Sequence, residues 1–396
     1  MSTSSLIFSF LQLGDPTVFG NLEPCPALAI APTAGTSYTN ALGTDAARAA
    51  IAAYHSIDGM KYTADQVVIA SGCSGTLDIV LTALLDPDTI LLVPQPGFPL
   101  YEVIAQSHGA QVQHYRLLPP SANNSEWQVD LAHVAALKQR YGCQVRAMVV
   151  NNPSNPTGGV FSESHLRDLV QVCDNLRVPI VADEIYGNMV FEKHTFHPLA
   201  QVAAQLGHRV PVVTCSGLAK QFLLPGWRIG WAIFHDNQFG SLQPVHAAAK
   251  RLANIILGAS HLAQSVIPVL LDRTNESITV WKENLRGTLE RQAALLATLL
   301  DQTPGLHVFP SAGAMYFMVQ IDRTVMEDAV HDDQTFCAAL LREEHVFCLP
   351  GACFGFPGAF RVVFSAPVDV LQEAARRLHS FCVRHAKKDS VDIVEQ

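Results

Sequence analysis

The sequence predicts an α/β protein: a large domain on a mostly parallel sheet, then a smaller α+β domain. Three observations carry that prediction. Short apolar runs alternate with stretches of helical periodicity. Each run stops at a polar or glycine-rich cluster. After residue 262 the pattern gives way to a long amphipathic stretch and then to further strand runs. A chain of 396 residues, 49% of them hydrophobic, can bury more than one core.

In chain order, Leu6 to Leu13 is apolar but too short to span a bilayer, and no basic residue precedes it. It reads as a buried strand leading into Gly14-Asp-Pro-Thr17. Gln66 to Ala70 is the next strand, broken by Ser71-Gly-Cys-Ser-Gly-Thr76. Leu77, Val80, Leu81, Leu84 and Leu85 then recur at helical spacing until Asp86-Pro87 stops the helix. Thr89 to Val93 ends in Pro94-Gln-Pro-Gly97, and Ala147 to Val150 ends in Asn151-Asn-Pro-Ser-Asn-Pro-Thr-Gly158. Val178 to Ala182 runs into Asp183-Glu-Ile-Tyr186, and Val210 to Thr214 runs toward Lys220. A helical pattern from Ala263 to Leu300 connects to a second domain, with strands at Gly313–Phe317 and Phe360–Phe364. The division read from this pattern is an N-terminal segment over 1–37, a large domain over 38–280 and a small domain over 281–396. The tail from Lys387 is polar and expected to fray.

Composition narrows the function classes. A formal charge of −9, with no basic run, argues against nucleic acid or an anionic membrane as partner. Nine cysteines without a CxxC pair read as reduced thiols of a cytoplasmic enzyme rather than a disulfide framework, and a mitochondrial location stays open. The sixteen histidines show no metal-ligand spacing, so no metal is expected.

The polar clusters converge because ligands of such sheets bind at the carboxyl ends of the strands. Lys220 stands just past a buried strand and just after two small residues, Gly217 and Ala219, which leave its amine room to meet a carbonyl. Arg228 follows a Pro225-Gly226 bend and can return to the same place to grip a phosphate. Cys73 and Ser74 open a helix, where free N–H groups favour an anion; Ser74 reads equally as a cap. Asp183 ends an apolar strand, so its charge needs a cationic partner. Tyr186 and Asn155 can hydrogen-bond a ligand oxygen, though Asn155 is also an ordinary turn residue. Phe98 suits ring stacking or a core turn. Arg361, between apolar neighbours in a strand pattern, calls for an anion, of which a carboxylate held by two guanidinium nitrogens is the simplest. Arg251, on a helix, reads as solvated.

Taken together, Gly14-Asp-Pro-Thr-Val-Phe-Gly-Asn21, Val93-Pro-Gln-Pro-Gly-Phe98, Asn151–Gly158, Ala182–Tyr186, Gly217–Lys220, Pro225–Arg228 and Gly313-Ala-Met-Tyr316 resemble the class I and II pyridoxal-phosphate aminotransferases, tyrosine branch, from about residue 11 to 385. The resemblance implies the fold-type-I architecture, with helices on both faces of the large sheet, and pyridoxal 5'-phosphate as cofactor. It makes Lys220 the Schiff-base lysine, Asp183 the partner of the pyridine nitrogen, and Asn155 and Tyr186 the holders of the phenolic oxygen. Phe98 would stack on the ring, and Cys73, Ser74 and Arg228 would take the phosphate. Gly14 would line the substrate site and Arg361 would bind the α-carboxylate. Tyr38, in Ser37-Tyr-Thr-Asn-Ala-Leu-Gly43, matches a tyrosine that reaches the phosphate of a neighbouring subunit, implying a homodimer. The N-terminal arm is shorter than the family's. The implied reaction is ping-pong transamination of aromatic L-amino acids, chiefly tyrosine to 4-hydroxyphenylpyruvate, with a 2-oxo acid acceptor. The alternatives are an alanine-type or broad-specificity aminotransferase, a cysteine-conjugate β-lyase, or a regulatory module that binds the cofactor without turnover. The last would carry a DNA-binding segment, and none is seen.

Overall fold

The computed structural model describes residues 21–22, 38–57, 60–121, 124–207, 209–330 and 332–387. The expected first strand, Leu6 to Leu13, lies outside them. The elements begin with α1 (Asp45–His55), β1 (Val67–Ser71), α2 (Gly72–Leu84), β2 (Ile90–Gln95), α3 (Leu100–Ser107), β3 (Gln111–Leu118), β4 (Gln128–Val129) and α4 (Leu131–Tyr141). They continue with β5 (Val145–Asn151), α5 (Glu163–Leu176), β6 (Ile180–Asp183), α6 (Leu199–Gln205), β7 (Val212–Gly217), β8 (Ile229–His235) and α7 (Gln243–Leu252). The remainder is α8 (His261–Gln264), α9 (Ile267–Leu270), α10 (Glu276–Asp301), β9 (Leu306–Phe309), β10 (Tyr316–Ile321), α11 (Asp333–Glu344), β11 (Leu349–Pro350), β12 (Ala359–Val363) and α12 (Val368–Arg384).

Eight strands form one sheet in the order β1-β8-β7-β6-β5-β2-β3-β4. The interior pairings β7-β6, β6-β5, β5-β2 and β2-β3 are parallel, and β8 runs antiparallel to both of its neighbours. Successive side chains on a strand point to opposite faces, and both faces of this sheet are covered. Met148, Val150, Ile180 and Ala182 pack on one side against Leu166 and Leu169 of α5 and Leu199 of α6. Ala147, Val149, Val181 and Val213 pack on the other against Leu77, Val80 and Leu81 of α2 and Ile104 of α3. Burial on both faces is why these strands read as continuous apolar runs rather than alternating ones.

A second, four-stranded antiparallel sheet has the order β11-β12-β10-β9. Its link to the large sheet passes through backbone hydrogen bonds: Phe191 N–H donates to Ala312 O at 3.0 Å and Ala314 N–H to Met189 O at 2.8 Å. Gly158 sits at φ +67°, and a Cβ there would fall 2.2 Å from Tyr316 O. The loop after β5 therefore touches β10 backbone to backbone.

The amphipathic stretch read as one helix from Ala263 to Leu300 is three. Pro268 starts α9, lacking the N–H that a continuing helix would use. Asp272 then folds a turn by accepting from Thr274 N–H at 2.9 Å and its hydroxyl at 2.7 Å, before Asn275 precedes α10. The strand expected at Gly313–Phe317 starts only at Tyr316, because Gly313 and Ala314 are used in the link to the large sheet.

Candidate active site

Five strand ends and the loops after them, at the carboxyl edge of the large sheet, carry most of the residues singled out in the sequence. The β1–α2 junction is the tightest. Gly72, at φ +73°, opens α2, and a Cβ there would meet Arg228 Nη2 at 2.4 Å. Arg228, itself at φ 54°, donates from Nη2 to Ser71 O at 3.4 Å and from Nη1 to Pro225 O at 2.9 Å. An exposed guanidinium thus lies over the first turn of a 13-residue helix whose leading N–H groups have no side-chain cap. That is a cradle for an anion. Ser74 lies inside α2 rather than capping it; Ser71 holds the cap position.

Asp183 ends β6 and is 4% exposed. Tyr101 O–H donates to its Oδ2 at 2.6 Å, Ile185 N–H to its Oδ1 at 3.3 Å, and the half-buried Cys73 thiol lies 3.6 Å from Oδ1. Burial raises the proton affinity of the Asp183 carboxyl, and these three donors work against it. The Cys73 thiol is itself held well above its ordinary value by burial and by the Asp183 charge, so it stands as a neutral donor. Phe98 meets Tyr101 edge-on at 5.9 Å.

Lys220 lies in the turn after β7, half-buried, where Leu223 N–H donates to its carbonyl at 3.2 Å. The flanking side chains fix that turn. Gln221 Nε2 donates to Gly217 O at 2.8 Å, and Phe222 stacks at 6.2 Å on Trp281 of α10, with Lys282 Nζ 4.4 Å above the same ring.

The small sheet closes the site from the other side. Arg361 on β12 is 5% exposed, and its Nη1 donates to Asn155 Oδ1 at 2.8 Å. Its guanidinium also lies 4.4 Å over the Tyr316 ring and 4.8 Å over the Phe354 ring. Asn155 is oriented in turn by its own N–H, which donates to Asn151 Oδ1 at 2.7 Å. Tyr186 and Tyr316 hydroxyls are 2.9 Å apart, and burial together with that neighbour keeps the Tyr186 phenol protonated.

The structure therefore brings Asn155, Tyr186 and Arg361 into one connected network through Tyr316, and Cys73 and Asp183 into another. Tyr38 is 88% exposed, and Gly14 lies outside the described residues. Sequence reasoning passed over Tyr101, Tyr316 and Phe354. Tyr101 had a signal, since it follows Phe98 by three residues across a helix start and so shares its face; Phe354 had none. Among the described residues no cluster of side chains could hold a metal ion, and no helix is long and apolar enough to cross a membrane.

An anion cradle, a buried acid facing inward and a lysine at a strand end fit the parts of pyridoxal 5'-phosphate: phosphate at Gly72–Ser74 and Arg228, ring nitrogen at Asp183, aldehyde at Lys220. The site and the doubly covered sheet define a pyridoxal-phosphate-dependent transferase. The family described as aminotransferase class I and II matches residues 14–378, and the chain belongs to it. It is 39% identical over 386 residues to the tyrosine aminotransferase of Dictyostelium discoideum, covering 96% of this chain and 89% of that one. Against the tyrosine aminotransferase of Caenorhabditis elegans it is 39% identical, covering 96% and 79%. The crystal structure of tyrosine aminotransferase from Leishmania infantum superposes with a TM-score of 0.86 at 31% identity, covering 95% of this chain and 92% of that one.

Proposed function

We propose that this aminotransferase acts on aromatic L-amino acids, chiefly tyrosine, and returns the amino group to a 2-oxo acid. The relatives named above support the donor. The Arg361 network carries the reading, because a buried guanidinium oriented by Asn155 and with aromatic rings on its faces is built to pair with an anion such as a carboxylate.

Bound pyridoxal phosphate supplies an aldehyde and a ring that withdraws electrons from the substrate's Cα. The chain's residues do the rest. Arg228 and the N–H groups of Cys73 and Ser74 would hold the phosphate, and Phe98 would cover the ring. Asp183, whose carboxyl accepts from Tyr101, Cys73 and Ile185 N–H, would pair with the protonated ring nitrogen, the positive partner that its burial calls for. Tyr186 and Asn155 hydrogen-bond the phenolic oxygen. Lys220 Nζ would take the proton from Cα as general base and deliver it as general acid to the carbon of the cofactor's aldehyde. Arg361 fixes the α-carboxylate, so that the bond from Cα to hydrogen faces that amine.

A second copy of the chain completes the site. Tyr38 is 88% exposed, and beside its segment lies an apolar surface of Ile255 (77%), Ile256 (68%), Leu257 (52%) and Leu262 (57%). A Cβ on Gly258 would lie 3.2 Å from Ala41 O, so the loop and the Tyr38 segment form one face. The mostly buried free cysteines fit a reducing compartment such as the cytoplasm.

Single-turnover reaction of the purified enzyme with tyrosine, alanine, methionine and glutamate tests the donor. Tyrosine should react with the highest kcat/KM. Preference for alanine or glutamate would overturn the aromatic assignment. Sedimentation of the wild type should give a dimer, and Ile256→Asp should shift it toward monomer.

A further inference from the structure

At the opposite end of the large sheet, where the strands begin, lies a cavity of about 730 Å³. Small-molecule pockets run from about 300 to 1,000 Å³. Its floor is apolar, from Val145, Val210 and Leu242. Its walls carry four cations, Lys138, Arg146, Arg177 and Arg209, against one carboxylate, Asp174. Such an excess of positive charge is unexpected in a chain of net charge −9.

The cations are only partly satisfied. Asp174 lies 3.0 Å from Arg209, and Asp86, mostly in solvent, lies 3.6 Å from the half-exposed Arg146. Among the described residues neither Lys138 nor Arg177 forms a salt bridge. Burial holds the Lys138 ammonium below its ordinary value, so a nearby anion would favour its charged form.

The rim adds an independent element. Phe239 is 71% exposed in the turn after β8, yet the turn is firmly built. Asn237 Oδ1 accepts from Phe239 N–H at 3.1 Å and from Ser241 N–H at 3.2 Å, and Asp236 Oδ1 accepts from Leu242 N–H at 2.8 Å. Asn237 Nδ2 donates to Arg209 O at 3.1 Å, tying the aromatic turn to a cation. A ring held out in water beside a concentration of positive charge offers a stacking face next to a phosphate clamp.

We propose that this cavity is a second ligand site for a nucleoside di- or triphosphate, with the base on Phe239 and the phosphates on Arg177, Arg209, Arg146 and Lys138. The compact cluster of cations around one pocket favours a small molecule over an acidic polypeptide or RNA, which would need a long basic stripe. The site is separate from the catalytic one. Asp183 lies at the far end of β6, roughly 13 Å along the strand from Pro179 in the cavity wall.

Calorimetry on the cofactor-saturated enzyme tests this with ADP, adenosine and inorganic pyrophosphate. ADP should bind about tenfold or more tighter than adenosine, and more weakly as salt rises. The double variant Arg177→Asn, Arg209→Gln should weaken both ADP and pyrophosphate by about tenfold or more; asparagine tolerates the left-handed backbone at 177 (φ 53°). Phe239→Ser should weaken ADP by about fivefold or more and leave pyrophosphate unchanged. Transamination should stay at the wild-type rate in these variants, confirming that they are folded. Absence of ADP binding at millimolar concentration, or binding that both variants leave intact, overturns the site. ADP and pyrophosphate of equal affinity overturn the nucleotide class, as does a preference for an acidic polypeptide.

Discussion

The carboxyl edge of the large sheet and the facing edge of the small sheet contribute to one site by different means. On the large sheet each functional group sits at or just past the end of a buried strand, where the turn that follows is set locally: Asp183 at the end of β6, Lys220 after β7, Asn155 after β5. On the small sheet Arg361 lies inside a strand and reaches the site only because β12 pairs with β10 and Tyr316 and Phe354 brace its guanidinium. On the proposed assignment the first region serves the cofactor, and the second serves whatever the cofactor acts on. Loss from the first should stop the chemistry, whereas loss from the second should change the grip.

The sharpest division is at Lys220. Lys220→Ala should abolish turnover on every donor while the cofactor is still retained through its phosphate, as absorbance after dialysis would show. Wild-type transamination by this variant would remove the central assignment. Asp183→Ala comes next. Losing a buried charge partner costs about 3–5 kcal/mol, or roughly two to four decades of kcat if the loss falls on the transition state; a drop of only a few-fold means the carboxylate faces elsewhere.

Arg361→Lys probes the other region. It keeps the charge but loses the planar fork, and kcat/KM should fall by about tenfold to a hundredfold, a charge-assisted hydrogen bond being worth about 1.5–3 kcal/mol. The fall should be alike for tyrosine, phenylalanine and methionine, and their order should survive. Selective damage to glutamate would instead place a distal carboxylate on Arg361. Tyr101→Phe removes the 2.6 Å hydrogen bond on Asp183 without moving the acid. It should lower kcat by about tenfold with little change in KM; an unchanged kcat denies Tyr101 any part in holding the carboxylate.

The smallest effect separates two adjacent acids. Glu184 follows Asp183 but points to the opposite face of the sheet, accepting from Leu199 N–H at 2.8 Å. Burial, with the Asp183 charge adding, raises it from an ordinary 4.5 to about 8. Between those values the folded chain holds a proton that the unfolded chain has released. Its contribution to stability is therefore complete below pH 4.5 and lost as pH rises through about 8. Glu184→Gln carries no proton to lose, so the Tm difference, variant minus wild type, should rise across that window. A flat difference would show that Glu184 is already ionised throughout.

The sequence by itself determined five strands of the large sheet, β1, β2, β5, β6 and β7, and the residues at their ends; β3 and β4 were not read from it. Val67–Ser71, Ile90–Gln95 and Ile180–Asp183 are apolar because both faces are buried, and the turns after them are spelled in glycine, proline and polar residues. Both are local properties of consecutive residues. β8 was not legible, although Ile229–His235 is fully buried, because it begins immediately after the Arg228 turn with no separate break to mark it. Nor could the sequence show that Tyr101 holds Asp183, 82 residues away, or that Asn155 and Arg361, 206 residues apart, share a hydrogen bond. The three helices where one was expected follow the same rule in reverse, since Asp272 and Pro268 break a periodicity that continues on either side. Periodicity records which side of an element is buried. Only the packing of one sheet against the other decides which buried side chains meet, because that meeting depends on distances through space that no spacing along the chain encodes.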